Sequence, residues 1–324
     1  MNLRSLRERE IIRAVRREFS GETGDIVLGI GDDAAVIQSA SRRLLLTTDL
    51  LIEDVHFVSS LHPPYLLGRK ALNVNLSDIA AMGGRPKFAL LGLALRRGMA
   101  KDDVTKFFLG FGAAAREHRT ELIGGDISTS AKMSISVTVV GEGKNPVRRS
   151  GARPGDYIFV SGTLGDAAAG LELLKKGYKL GRNRRADVLL RAFLDPVPEL
   201  SLGLALSARR AATAMIDISD GLSVDLFHLS EESRVGAEVY LARLPLSPDL
   251  LSFVKKPEGL ALHGGEDYKL LFTVNPENLG IIERLQKKHK VYWIGETKRK
   301  SGIFLTDEKG KKRPLEIRGF EHSA

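Results

Sequence analysis

Six short clusters place acidic residues beside Gly, Ser, Thr or Ala at the ends of apolar runs. They are GIGDDAAVI with Asp32 and Asp33, LLLTTDL with Asp49, NVNLSDIAAMGG with Asp78, LIGGDIS with Asp126, IDISDGL with Asp217 and Asp220, and HGGEDYKLLF with Glu266 and Asp267. This is how a chain writes a site assembled from strand ends and tight loops. Carboxylates with few His and no Cys around them suit hard, oxygen-seeking cations such as Mg²⁺. Several such ions beside Gly-rich loops suggest a nucleoside triphosphate. A triphosphate and a carboxylate cluster are both strongly negative, so divalent cations must lie between them. Thr47 and Thr48, directly before Asp49, and Ser219, between Asp217 and Asp220, can add neutral oxygens. Gly125 lets the backbone approach a ligand before Asp126, and Asp220-Gly221 leads into a helix N-terminus.

Other phosphate-binding routes fit less well. Gly29-Ile30-Gly31-Asp32-Asp33-Ala34 matches G-x-G-x-x-A, with Asp49 20 residues after Gly29. A parallel crossover needs about a dozen residues, however, more than lie between Ala34 and the next apolar strand. Two adjacent carboxylates would also repel a pyrophosphate. The Walker A pattern is absent.

The elements that must position these acids alternate between helix and strand. The spacing predicts helices over Leu3 to Phe19, Tyr65 to Met82, Asp102 to His118, Asp166 to Lys176, Leu222 to Ser233 and Leu279 to His289. A further helical stretch, 188–210, is interrupted by Asp195-Pro196 and Pro198. Strands are expected at 44–48, 88–95, 120–123, 133–142, 157–161, 214–218, 237–241, 268–274 and 291–294. The mixed order argues α+β within a two-domain α/β chain. The polar, Gly-, Pro- and Arg-rich stretch 144–155 marks the boundary, giving domains at 1–145 and 146–324.

The 324 residues exceed one typical core, and 43% hydrophobic with 27% charged residues is ordinary for a globular protein. No apolar run approaches the roughly 18 to 20 residues of a membrane span, and no signal peptide is visible, so a cytoplasmic protein without a membrane partner is expected. Zero Cys excludes disulfides, thiolate metal sites and a Cys nucleophile. The net charge of +9 could steer phosphorylated molecules, but no nucleic-acid-binding motif accompanies it, so no nucleic-acid partner is expected.

In their order along the chain, GIGDDAAVI, TTDLLIEDVHF, ALNVNLSDIAAMGG, LIGGDIS, RRSGARPGDYIFVSGTLGDAAAGL, IDISDGLSVDL and HGGEDYKLLF resemble thiamine-monophosphate kinases. Those enzymes share a superfamily with aminoimidazole ribonucleotide synthetase and selenophosphate synthetase. The resemblance spans about residues 25 to 322 and implies an N-terminal α/β domain that pairs with its twin in a homodimeric β-barrel, followed by a C-terminal α/β domain. It implies ATP and thiamine monophosphate as partners, several Mg²⁺ ions, and direct transfer of the γ-phosphoryl group to give thiamine diphosphate and ADP, the last step of thiamine diphosphate biosynthesis. No side-chain acid or base is implied, because a phosphate oxygen is already an anionic nucleophile. By position, Asp33, Asp49, Asp78 and Asp217, with Thr47 or Thr48, resemble shared metal ligands, and Asp126 and Asp220 resemble ligands of further Mg²⁺ ions. Gly125, Asp126, Arg149 and Ser219 resemble ATP contacts; His56 and Glu266 resemble substrate contacts.

Two departures stand out. Phe108 occupies a position where many relatives carry a Tyr against ATP. The tail differs from the usual pattern, leaving Phe320 as the candidate aromatic against the substrate. Sister enzymes acting on a purine precursor or a carbamoyl group are the second reading, but the hydrogenase-maturation relative would need a C-terminal Cys and selenophosphate synthetase a Cys or selenocysteine near the start. A regulatory protein without turnover is the third; it would be expected to have lost metal-ligand acids.

Overall fold

The structure is a computed structural model that describes residues 26–28, 32–39 and 42–319. The expected N-terminal helix, Gly29 to Gly31 and Phe320 lie outside the described residues.

Two sheets organise the chain. The first contains β1 (Ile26–Leu28), β2 (Ala35–Ser39), β3 (Arg42–Ile52), β4 (Arg85–Arg96), β5 (Glu121–Ser130) and β6 (Ser134–Gly143), in the order β1-β2-β3-β6-β4-β5. β2 and β3 pair as neighbouring antiparallel strands directly after Asp32-Asp33. A segment that leads directly into a hairpin cannot be a dinucleotide-binding crossover, which needs a helix at that point.

Two helices cover one face: α1 (Pro64–Ala81) and α2 (Lys101–Glu117). The second sheet takes β7 (Tyr157–Ser161), β8 (Ala212–Ile218), β9 (Gly236–Tyr240), β10 (Lys269–Val274), β11 (Val291–Lys298), β12 (Ile303–Thr306) and β13 (Lys312–Pro314), in the order β13-β12-β9-β11-β7-β10-β8. Around it lie α3 (Asp166–Lys175), α4 (Arg184–Leu194), α5 (Leu200–Ala208), α6 (Leu222–Ser233), α7 (Pro248–Phe253), α8 (Glu258–His263) and α9 (Leu279–Gln286).

The predicted helix over 188–210 is two helices, α4 and α5. Asp195-Pro196-Val197-Pro198 separates them, because a proline bars the preceding residue from helical geometry and lacks the amide the helix needs. The β12–β13 hairpin and the six-residue helices α7 and α8 are too short to carry a readable period, and sequence patterning did not anticipate them.

Helix α1 is the axis of the molecule. It starts at Pro64, whose missing amide costs nothing in the first turn. It stops where Gly83, at φ 64°, donates its amide to the Ala80 carbonyl while Gly84 donates to Ile79. A surface helix buries one stripe; α1 is buried on nearly every side. Leu72, Leu76 and Ile79 join Leu45, Phe107, Phe111 and Val139 in the core of the first sheet. Ala80 and Ala81 pack with Leu202, Leu206 and Phe272 of the second half. Gly203 of α5 makes that contact possible, since a Cβ there would meet the Ala80 carbonyl oxygen at 2.1 Å.

The segment between the sheets is laced into both. Val147 donates to the Met82 carbonyl, and the Arg148 carbonyl accepts from Met215 at the edge of β8. The β6 side chains alternate strictly between the α1 face and the opposite face of the first sheet. That opposite face is open and partly apolar: Leu50 is 49% exposed and Leu90 42%.

Candidate active site

The acids gather where α1 crosses the ends of β3 and β8. Thr47 and Asp49 stand on the α1 side of β3, and Asp78 lies in the last turn of α1. Asp217, the penultimate residue of β8, and Asp33, just before β2, complete the set. Asp33, Asp78 and Asp217 each bring a carboxylate oxygen within 4.8 Å of the other two. Nothing in one stretch of sequence could do this; a strand end, a helix end and a loop from two sheets supply one group each.

Neutral side chains hold the acids in place. The Thr47 hydroxyl donates to Asp78 Oδ2, and the Ser77 hydroxyl donates to Asp217 Oδ2 at 2.6 Å. Asn75 Oδ1 accepts the Asp49 amide at 2.9 Å and its Nδ2 donates to the Ala71 carbonyl at 3.1 Å. Arg149 answers the charge on one side, its Nη2 lying 2.7 Å from Asp33 Oδ1 and its backbone amide donating to Asp32 Oδ2 at 3.1 Å. One arginine beside Asp32, Asp33, Asp78 and Asp217 leaves this cluster strongly unbalanced.

The imbalance appears as proton affinity. Burial first, and the charges of Asp49, Asp217 and Asp33 next, push the Asp78 carboxyl well above the usual range. Burial and Asp33 do the same to Asp217. Asp49 is raised to about 6, by burial and then by Glu266, Asp220 and Asp33. Asp32 is raised to about 7, by burial and then by Asp33.

These residues fit a divalent cation. The donors are all oxygens, as Mg²⁺ prefers, and they are crowded beyond what mutual repulsion favours. Asp33 Oδ2 is buried without a hydrogen-bond partner. A buried carboxylate oxygen left unpartnered is costly, and a bound cation would satisfy it.

Two family models match the chain: AIR synthase related protein, N-terminal domain, over residues 31–142, and its C-terminal domain over residues 153–308. The thiamine-monophosphate kinase of Aquifex aeolicus is 39% identical over 329 residues, covering 99% of this chain and 100% of its own length. That of Bacillus subtilis is 35% identical over 305 residues, covering 91% of this chain and 93% of its own length. The chain belongs to the thiamine-monophosphate kinase family. Among solved structures, AaThiL complexed with AMPPCP and TMP superposes with a TM-score of 0.88 at 38% identity, over 99% of both chains. The hydrogenase maturation protein HypE in complex with ATP shares the fold, with a TM-score of 0.70 at 20% identity over 95% of this chain and 94% of its own.

Within this family fold, the remaining expected site residues lie at different depths. Asp220 follows β8 beside the cluster, and Ser219 accepts the Glu266 amide on its carbonyl at 2.7 Å. Glu266, at φ 72°, forms an ion pair with Lys70. His56 lies on the turn after β3, where its Nδ1 accepts the Ile52 amide at 3.0 Å. Phe108 is half-buried on α2, edge-on to Phe107 at 5.6 Å. Asp126 is exposed on β5, in register with Gly92, which opposes Ser136, which opposes Leu50. That row is on the open face, so Asp126 does not join the buried cluster. Gly125 sits where a Cβ would meet the Leu91 carbonyl oxygen at 1.9 Å, so strand packing alone demands a glycine there.

Thr48 requires a correction. Strand alternation points it away from Asp49, and its hydroxyl bonds the Val137 carbonyl and Thr138 on the open face. Its hydroxyl therefore cannot assist the Asp78 cluster; Thr47 alone does so.

Sequence reading missed Asn75, Ser77, Lys70 and Asp225. Asp225 accepts the Asp220 and Gly221 amides, at 3.2 and 3.1 Å, and so fixes the turn that presents Asp220. The signal was present: polar residues inside apolar helical patterns must find partners when buried.

Proposed function

We propose that the protein is a thiamine-phosphate kinase: it transfers the γ-phosphoryl group of ATP to thiamine monophosphate, giving thiamine diphosphate and ADP. The observation that carries this reading is the convergence of Asp33, Asp78 and Asp217 in a chain of this family. An oxygen of the acceptor phosphate attacks the γ-phosphorus. The new P–O bond forms as the bond to the ADP oxygen breaks, and ADP leaves with that electron pair. The attacking oxygen is already ionised, so no side chain takes its proton, and the work left to the protein is alignment and charge balance.

Asp33, Asp49, Asp78 and Asp217 would hold Mg²⁺, with Thr47 orienting Asp78 and with Asp126 and Asp220 serving further ions. When bound, Mg²⁺ supplies the positive charge that lets the two phosphate groups approach. Arg149, Gly125, Ser219 and Phe108 serve ATP, Arg149 offering a fork to phosphate oxygens. His56, Glu266 and Phe320 serve the acceptor. Gly319, directly before Phe320, packs so closely on Asp220 that a Cβ would lie 2.4 Å from its carbonyl oxygen, which supports a tail aromatic near the site.

The working unit is a homodimer joined through the open face of the first sheet. Leu50, Phe88 and Leu90 are exposed on that face in the single chain, beside the exposed strand β5, and a second copy would bury them. Residues 1–145 form the dimerising, metal-binding domain and residues 146–324 complete the site. ATP as co-substrate puts the enzyme in the cytoplasm. Among the described residues, no helix is long and apolar enough to cross a membrane.

Purified protein with ATP, Mg²⁺ and thiamine monophosphate should yield thiamine diphosphate and ADP in equal amounts by chromatography. Absence of both products would overturn the assignment.

A further inference from the structure

Lys70 has no place in the chemistry described so far, yet it is among the largest side chains with no exposed surface. A buried ammonium is costly unless paired. Three contacts surround it. Its Nζ donates to the Phe193 carbonyl at 3.0 Å, sits 3.9 Å from the centre of the Phe193 ring, and forms an ion pair with Glu266 Oε2. The first two partners are neutral, so Glu266 is the anion that balances it.

Glu266 is unusually constrained. Its own amide is fixed on Ser219, and two residues on the Tyr268 amide is fixed on the Ile218 carbonyl at 2.8 Å. Between them Asp267 accepts the Gly165 and Ala167 amides, at 2.7 and 3.2 Å. The backbone at Glu266 stands at φ 72°, a conformation that side-chain-bearing residues keep only where their surroundings dictate it. Oε2 is buried, whereas the side chain as a whole keeps 26% of its surface open. After burial, the Glu266 charge does most to raise the Asp49 carboxyl. Without a cation behind it, Glu266 would be one more anion in a crowded cluster, free to turn toward any metal there.

We infer that Lys70 is a positioning residue. From α1 it holds Glu266 as an oriented anion on the acceptor side of the site, reserved for the organic cation of the phosphorylated acceptor and kept out of the metal cluster. This rests on the kinase reading above. The thiazolium ring of thiamine monophosphate carries a permanent positive charge, and its aminopyrimidine offers N–H donors; a fixed carboxylate suits both. ATP has no organic cation, although its adenine also carries an amino group, so the thiazolium charge is what lets the pair discriminate between the two substrates.

Kinetics of Lys70→Met, Lys70→Arg, Glu266→Gln and the double variant Lys70→Met/Glu266→Gln test the inference. Lys70→Met should raise the KM for thiamine monophosphate at least about tenfold while the KM for ATP stays within about twofold. Lys70→Arg should recover part of the loss. Glu266→Gln should raise the same KM, and the double variant should be no worse than Glu266→Gln alone. If Lys70→Met lowers only kcat and thermal stability, with both KM values parental, Lys70 is merely structural and the inference falls. It falls equally if Glu266→Gln keeps the parental KM or if the two losses multiply in the double variant. Should Lys70→Met fail to fold, the double variant decides, because removing both charges leaves neither buried alone. A parent protein that forms no thiamine diphosphate refutes the kinase reading; an active parent with an unmoved acceptor KM in Lys70→Met refutes only the role of Lys70.

Discussion

Asp49 shows how far this site departs from what its residues would choose in water. A carboxyl moved from 3.8 to about 6 costs on the order of 3 kcal/mol once ionised. A folded-state value above the unfolded one means that the proton stabilises the fold, and this contribution is lost as pH rises from about 4 through about 6. A divalent cation opposes that loss and binds only the ionised form. Magnesium should therefore raise the melting temperature little at pH 5 and increasingly through pH 6 to 7, as read by differential scanning fluorimetry; a pH-independent shift would remove these carboxylates from the metal site. Asp49→Asn should lower kcat by at least about a hundredfold, while the metal-free melting temperature holds or rises, because a repelled charge has gone. Retained turnover at saturating Mg²⁺ would take Asp49 out of the reaction. The residue types and Gly-flanked settings of Asp33, Asp78 and Asp217 were legible in the sequence. Their approach within 4.8 Å was not, since no local rule relates residues so far apart.

Helix α1 shows what periodicity conveys and what it omits. The pattern of Leu66, Leu72, Leu76 and Ile79 marked a helix nearly coincident with the observed one. It did not reveal that Lys70, Asn73 and Ser77, which face the second half of the chain, and Asn75, which faces β3, would also be buried. Each finds a partner across that contact or at the site; Asn73 Nδ2, for example, donates to the Pro196 carbonyl at 2.9 Å, while its buried Oδ1 is left without a partner. Ser77→Ala should therefore reduce turnover more than its loss of one hydrogen bond, about 1 kcal/mol, reduces stability. Steady-state kinetics beside urea denaturation separates the two effects. At the crossing of α5 on α1, Gly203→Ala should destabilise by about 2 kcal/mol or more, since its Cβ would strike the Ala80 carbonyl and the helices must part. Denaturation midpoints check this; an unchanged midpoint would mean that the crossing is loose.

At the scale of the whole molecule, the open face of the first sheet exposes apolar side chains among the described residues. Leu50, Leu90 and Phe88 are exposed on strands whose other face is core. Leu50→Lys or Leu90→Lys should convert a homodimer to monomer in light scattering and lower activity with it. A parent protein that is monomeric at micromolar concentration would exclude this interface. The two sheets meet through α1, the α5 crossing and the 147–149 segment, so the acids from both are held in one frame.

By itself the sequence determined the α/β class, most element positions, the carboxylate-rich chemistry and, through its ordered motifs, the family. These are local properties: period, turn residues and short strings. Only the tertiary structure decided that Thr47 and not Thr48 serves Asp78, that Asp126 lies apart on the open face, and that Lys70 meets Glu266. Each depends on which side of an element a residue occupies and on what is packed against it. Contacts between distant segments fix both, and they form only when α1 closes between the two sheets.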